Sequence, residues 1–406
     1  MITESQKDQF SSIFNEFGKA LDITETEYDA IVTSYRAMGT WLADNSSSLQ
    51  QYDPAILPQG SFMLGTMVHP VSDDDDLDID LVCQLKRKPS AWTQYNLKNA
   101  VGDRIKENNT YKSMLNNEGK RCWTLKYAKG KYHMDILPCF VNENYQRILE
   151  QSFSEIEQQN VDSLAIRITD KTRSDYYTEK NIENWFKSNP FGYAKWFFNI
   201  ATRPSELRRS FSLSASIAPI PKFNKTKLPL QRVVQLLKRH RDIMFDGNEN
   251  KPISIIITTL AARSYQGETT IFDTLDNIVR KMPMYIEDRI GVKWVANPVN
   301  PEENFADKWQ KEPKKEQNFY LWIQQLRSDL NVLMADSGQG LPKLSTTMKQ
   351  MFGETLTSTV FSNFGGASKD SSSNGTLKMA ATTGMLGAIG RTTVAGHNFF
   401  GNIEDE

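Results

Sequence analysis

The sequence predicts an α+β chain: a mixed sheet backed by helices in the first half, then a mostly helical region. Two observations carry this. Apolar residues recur at helical spacing up to about residue 45 and again through much of 228–335. Between those stretches, strand-like runs fall near 77–83, 121–127 and 131–141. The end of the chain differs from both: Phe364 to Gly401 is rich in Gly, Ser, Thr and Ala with few large residues, which reads as a mobile tail.

The elements follow in order. Phe10, Ile13, Phe14, Phe17 and Leu21 mark a first helix. Thr24 and Glu27 form a capping-box pattern that opens a second, with Tyr28, Ile31, Tyr35, Met38 and Leu42 on one side. Ala55-Ile56-Leu57 is a short strand that runs into a tight Gln59-Gly60-Ser61 corner. After an acidic turn, Leu77, Ile79, Leu81 and Cys83 alternate with Asp78, Asp80 and Val82, the pattern of a strand with one wholly apolar face. Trp92, Leu97, Val101 and Ile105 predict a helix. Ala128-Lys129-Gly130 then joins two strands as a hairpin. Helices are predicted over Leu228–Met244, Ile253–Tyr265, Phe272–Lys281 and Glu316–Ala335.

Composition limits the function classes. The 406 residues suffice for roughly two or three domains. Hydrophobic residues at 39% and charged residues at 24% describe a globular chain, not a disordered one. Lys+Arg at 48 against Asp+Glu at 49 gives a net charge of -1. Stable DNA or RNA binding, which calls for a large positive excess, is therefore not expected. The most apolar run, Ile253 to Ala262, is too short for a membrane span. The N-terminus is polar, and Cys83, Cys122 and Cys139 form neither a disulfide framework nor a zinc pair. A cytoplasmic protein is expected.

The sharpest chemical signal is Gly60-Ser61, followed by Asp76-Leu77-Asp78-Ile79-Asp80. On a strand, residues two apart project to one face, so Asp78 and Asp80 stand together. Two adjacent carboxylates repel unless a cation lies between them, and hard divalent cations prefer oxygen ligands. Asp135, in Tyr132-His133-Met134-Asp135-Ile136-Leu137-Pro138, is a carboxylate in mid-strand, where an unpaired charge is costly. Paired with the other two across an adjacent strand, it would complete a three-carboxylate metal cluster. Gly60 allows close backbone approach to a phosphate. Asp73 to Asp76 alone reads as a solvated turn. His133 shares a face with Asp135 and reads as a packed histidine.

Gly-Ser, then Asp-x-Asp, then a distant third Asp resembles the DNA polymerase β-like nucleotidyltransferase superfamily. The fuller stretches Gln59-Gly60-Ser61-Phe62, Asp76 to Val82 and Tyr132 to Pro138 resemble the bacterial cGAS/DncV-like enzymes, the CD-NTases. The resemblance covers roughly Phe10 to Ala335 and is more specific in the first half. It implies two lobes, a nucleotidyltransferase core and a helical lobe like that of oligoadenylate synthases, with the active site between them. The corresponding divisions are 1–170, 171–345 and a flexible tail at 346–406, with the N-terminal helix packing across both lobes.

The resemblance further implies synthesis of a cyclic di- or trinucleotide from ATP or other nucleoside triphosphates, for antiphage defence. It implies two Mg²⁺ ions, with Mn²⁺ as a substitute, on Asp78, Asp80 and Asp135. Asp135 would hold the metal of the acceptor hydroxyl. Gly60 and Ser61 would hold the donor triphosphate, with Gln59 at its edge. Lys238 and Ser254 match a Lys and a Ser that reach the triphosphate in relatives, although Ser254 after Pro252 also reads as a plain first-turn residue. His397-Asn398-Phe399-Phe400-Gly401 resembles a tail end that a regulatory or conjugating partner protein binds; the acidic Asn402 to Glu406 departs from that pattern. Two rival readings stand beside this one: a linear oligonucleotide or tRNA/RNA nucleotidyltransferase of the same superfamily, and an inactive nucleotide-binding module.

Overall fold

The computed structural model describes residues 2–72, 75–154, 161–203 and 223–373, with three dipeptides beyond them (378–379, 386–387 and 392–393). Helix α1 (Glu4–Ala20) and helix α2 (Glu25–Ala43) open the chain. The predicted capping box is present: the Glu27 amide donates to Thr24 Oγ1 and the Thr24 amide to Glu27 Oε2. Strand β1 (Ala55–Pro58) turns through the short helix α3 (Gly60–Leu64), and strand β2 (Leu77–Leu85) follows. Helices α4 (Gln94–Glu107) and α5 (Asn109–Met114) lead to the hairpin of β3 (Trp123–Tyr127) and β4 (Tyr132–Phe140). Helix α6 (Tyr145–Ser154) and two short strands, β5 (Ile166–Ile168) and β6 (Phe186–Ser188), complete the first half.

The sheet has the order β1-β2-β4-β5-β6, with β3 also paired to β4. Strands β2 and β4 are parallel, and the other pairs are antiparallel. The mixed sheet is as expected, but it extends past residue 170, because β6 adds to its edge. A three-residue strand carries too little alternation to be read from sequence.

Each sheet face has its own core. On one face, Ile79, Leu81, Cys83, Met134 and Ile136 pack against Ile31, Tyr35 and Met38 of α2 and Leu97, Val101 and Ile105 of α4. On the other, Val82, Leu137 and Cys139 join a core continuous with the helical second half. Asp78 and Asp80 lie on that same face of β2, four and two residues before Val82. The face therefore changes along its length from a carboxylate-bearing end to a packed one.

The second half consists of α7 (Pro190–Ala201), α8 (Pro229–Phe245), α9 (Ser254–Ser264), α10 (Ile271–Lys281), α11 (Pro313–Ala335), α12 (Leu341–Phe352) and α13 (Glu354–Ser373). Helix α1 belongs to this half by its contacts: Phe10 stacks on Phe272, and Phe14 and Phe17 meet Phe352. The tail boundary at 346 is a correction, since Met348, Met351, Phe352 and Val360 are buried in the core. Their helical spacing is masked by the Ser, Thr and Gly between them. Beyond Ser373 the proposed tail, the three dipeptides excepted, lies outside the described residues, and His397 to Glu406 is part of it. Among the described residues, no helix is long and apolar enough to cross a membrane.

A polar seam joins the halves. Side chains at and just before one face of α8 donate to successive carbonyls of the segment after α3. Gln231 reaches Leu64 O (2.7 Å), Lys227 Gly65 O (2.7 Å), Lys238 Thr66 O (3.0 Å), Gln235 Met67 O (2.7 Å) and Arg239 His69 O (3.0 Å). Asp22, between α1 and α2, accepts from Lys227 (3.0 Å), Arg232 (2.8 Å) and Gln235 (2.9 Å). Arg232 is buried, so removing its carboxylate leaves an uncompensated charge in the interior. Asp22→Ala is expected to cost about 3 kcal/mol of stability, read from the urea midpoint. A loss below about 1 kcal/mol, the range of a surface pair, would show that the seam does not hold the halves together.

Candidate active site

The sheet register brings the three predicted carboxylates together. Across β2 and β4, Asp78 is opposite His133 and Asp80 opposite Asp135; across β3 and β4, Lys126 is opposite His133 and Thr124 opposite Asp135. Two rows result, Lys126–His133–Asp78 and Thr124–Asp135–Asp80. One ligand oxygen from each of Asp78, Asp80 and Asp135 lies within 4.8 Å of the others. Asp78 is exposed at the rim, while Asp80 and Asp135 are half-buried.

Electrostatics identify the inner carboxylate. Burial, together with the neighbouring Asp78 and Asp135, pushes the Asp80 carboxyl up to about 7, while Lys238 and His133 oppose that rise. An acid raised first by burial and then by two like charges is a place where a bound cation is favoured. Three hard oxygen donors fit a divalent cation of the Mg²⁺ class. His133 is not simply a packed histidine: Nε2 lies 3.0 Å from Asp78 Oδ1, and that hydrogen bond raises its pKa. Lys126 pairs with Asp76 at 3.0 Å. Thr124 Oγ1 donates a short hydrogen bond to Asp135 Oδ1. Thr124 is not apparent as a site residue in the linear sequence. The hairpin turn holds the signal: Tyr127 opposite Tyr132 fixes 124 opposite 135.

The Gly-Ser corner lies directly against this cluster. The Gln59 amide donates to Asp80 O (2.9 Å), tying the corner to β2. Gly60 has φ +59, and a Cβ there would collide with the Asp80 carboxylate. The fold thus requires glycine for two separate reasons. Gln59 and Ser61 are half-buried, and the Thr66 amide donates back to Ser61 O (3.0 Å).

Lys238 and Ser254 sit on the helical side. Lys238 is buried, and burial with the nearby Arg241 depresses its ammonium to about 7, opposed by Asp242 and Asp80. In this structure it donates to Thr66 O, one hydrogen bond removed from Ser61. Ser254 opens α9, and its hydroxyl accepts from Arg241 at 2.9 Å. Lys238 therefore borders the carboxylates and the corner, while Ser254 is joined to α8 through Arg241. Trp185 is buried against Phe140 and presents no face for stacking a base.

Known proteins resemble this chain in sequence and in fold. Residues 9–153 match the Second Messenger Oligonucleotide or Dinucleotide Synthetase domain. A c-di-GMP synthase of Roseivirga ehrenbergii is 33% identical over 356 residues, covering 87% of this chain and 86% of the relative. The chain belongs to the CD-NTase family. Two solved family structures share the fold. The Bradyrhizobium diazoefficiens CD-NTase CdnG, in complex with GTP, superposes with a TM-score of 0.65 at 18% identity, covering 88% of this chain and 100% of that one. The Vibrio cholerae dinucleotide cyclase DncV, in complex with GTP and 5MTHFGLU2, gives 0.53 at 14% identity, covering 88% and 92%. This CD-NTase has the two-lobed polymerase-β-like fold and is a cyclic oligonucleotide synthase.

Proposed function

We propose that this CD-NTase joins two GTP molecules into cyclic di-GMP, releasing two pyrophosphates, with two Mg²⁺ ions, or Mn²⁺ in their place, on Asp78, Asp80 and Asp135. The observation that carries the reading is the convergence of those carboxylates within 4.8 Å, beside the Gly60 corner. The name of the Roseivirga relative supports the product. The cations, when bound, supply charge neutralisation for the phosphates and acidify the acceptor hydroxyl. The chain's own residues do the rest. Asp78 and Asp80 face the donor's α-phosphate. Gly60 and Ser61 hold the donor triphosphate, with Gln59 at its edge, so that the leaving pyrophosphate points away from the acceptor. Asp135 takes the proton of the acceptor 2′- or 3′-hydroxyl as its oxygen bonds to the α-phosphorus and the bond to pyrophosphate breaks. Lys238 and Ser254 steady the triphosphate from the helical side. The same proposal places the protein in the cytoplasm and in antiphage defence, with a partner protein acting through the C-terminal segment.

The test is mass spectrometry of products from all four ribonucleoside triphosphates with the full-length protein and Mg²⁺. A phosphatase-resistant cyclic dinucleotide of guanine is expected. Phosphatase-sensitive linear chains would favour the linear-polymerase alternative. Tight nucleotide binding without pyrophosphate release, with Mg²⁺ or Mn²⁺, would favour an inactive module.

A further inference from the structure

Each of the three carboxylates is constrained by a different neighbour. Asp78, at the exposed rim, pairs with His133. Asp80 is crowded by the Gly60 corner. Asp135 accepts from Thr124, which no part of the reading above uses. We propose that Thr124 is a positioning residue that fixes which oxygen of Asp135 turns toward the other two carboxylates. This rests on the metal reading of the triad given above.

The geometry makes Thr124 suited to the role. A carboxylate is symmetric and rotates freely unless one oxygen is engaged. The Thr124 hydroxyl engages Oδ1, so that on this proposal the other oxygen serves the cluster. Threonine is stiff at χ1, so its hydroxyl is aimed with little loss of rotamer freedom. The strand that carries it is fixed on both sides. Its neighbours Trp123 and Leu125 are buried in the core beneath the sheet. The opposite edge of β3 is held by the Asn116 amide, which donates to Thr124 O at 2.9 Å, and by the bridge from Leu115 to Leu125. Thr124 therefore cannot slide along β4, and its hydroxyl stays directly opposite Asp135.

Valine has nearly the shape of threonine and lacks only the donor, so Thr124→Val tests the hydrogen bond with little change in packing. Binding of Mn²⁺ to full-length protein, followed by the electron paramagnetic resonance signal of the free ion, is expected to weaken about 10–100-fold in Thr124→Val, the usual cost of losing an outer partner of a metal ligand. Thr124→Ser, which keeps the donor, is expected to recover most of the affinity. Lost turnover of Thr124→Val should return as the Mn²⁺ concentration is raised, and its metal-free melting temperature should match the parent's. Asp135→Asn separates the two levels of the reading. If Asp135→Asn loses Mn²⁺ and Thr124→Val binds it like the parent, the positioning role is wrong and the metal triad stands. Equal weakening in the Val and Ser variants also overturns the role, because the hydroxyl is then not the cause. Parental Mn²⁺ binding by Asp135→Asn overturns the triad and this inference with it.

Discussion

Asp80→Asn is expected to lower product formation by about 10³-fold or more and, at the same time, to make the metal-free protein more stable above pH 7. The two effects share one cause. Burial and the charges of Asp78 and Asp135 raise the Asp80 carboxyl to about 7, whereas an unfolded chain leaves it near its ordinary 3.8. Between those pH values the folded state holds a proton that the unfolded state has released. Stability therefore falls as pH rises from about 4 toward 7, by up to about 4 kcal/mol at one pKa unit per 1.36 kcal/mol. Asparagine carries no charge to repel Asp78 or Asp135 and removes this slope. The same proton competes with the cation, so the parent's affinity for Mg²⁺ should strengthen about tenfold per pH unit below pH 7 and level off above it. Thermal melting of parent and variant at pH 5 and pH 8, each with and without Mg²⁺, measures the effect. The metal-free variant should melt above the parent by a clearly larger margin at pH 8 than at pH 5, and Mg²⁺ should close or reverse the gap. Identical melting at both pH values would show that Asp80 is not under electrostatic load.

The carboxylates are legible in the sequence because strand alternation is a short-range rule. The spacing of Asp78 and Asp80 gives one face directly, and the apolar Leu77, Ile79 and Leu81 show which face is buried. Asp135 is legible for the same reason, as a charge in mid-strand. That it lies opposite Asp80 is a matter of register between parallel strands 55 residues apart, which alternation does not encode; family resemblance supplies it. The helical half is readable from period alone, but its contacts are not. Phe14 and Phe17 mark an apolar face without revealing that Phe352 fills it. The same limit hides α12 and α13, whose sparse apolar residues gain meaning only against α1. Lys238 illustrates a different gap. Its place on α8 follows from the helical period, but its hydrogen bond to Thr66 depends on how α8 docks on the segment after α3. Thr124 escapes notice for a simpler reason: threonine is common in strands, and only pairing gives this one a partner.

Gly60→Ala is expected to cost about 10²–10³-fold in turnover, because the corner and the carboxylate cluster occupy adjoining space. Backbone strain alone is modest: an L-residue at φ +59 pays about 1–2 kcal/mol. The larger effect is steric. A methyl at Gly60 falls on the Asp80 carboxylate, with Asp80 Cγ and Cβ only 3.2 and 3.3 Å away. Asp80 has little room to retreat. Its carbonyl is bound by the Gln59 amide, and β2 is held between β1 and β4. Either the carboxylate swings out of the cluster or the corner shifts with Ser61, and a displacement near 1 Å at reacting groups costs about 10²-fold. Paired measurements distinguish the two. Loss of Mn²⁺ binding with retained GTP binding means that Asp80 moved; the reverse means that the corner moved. Gly65→Ala supplies the control for strain. Its φ is +64, but its Cβ would meet the Gln231 amide, at 2.8 Å, and so disturb the seam rather than the carboxylates. That variant should lose stability while keeping most of its turnover. If Gly60→Ala behaved like Gly65→Ala, the corner would be only a turn, and the triphosphate would have to be held elsewhere in the cleft.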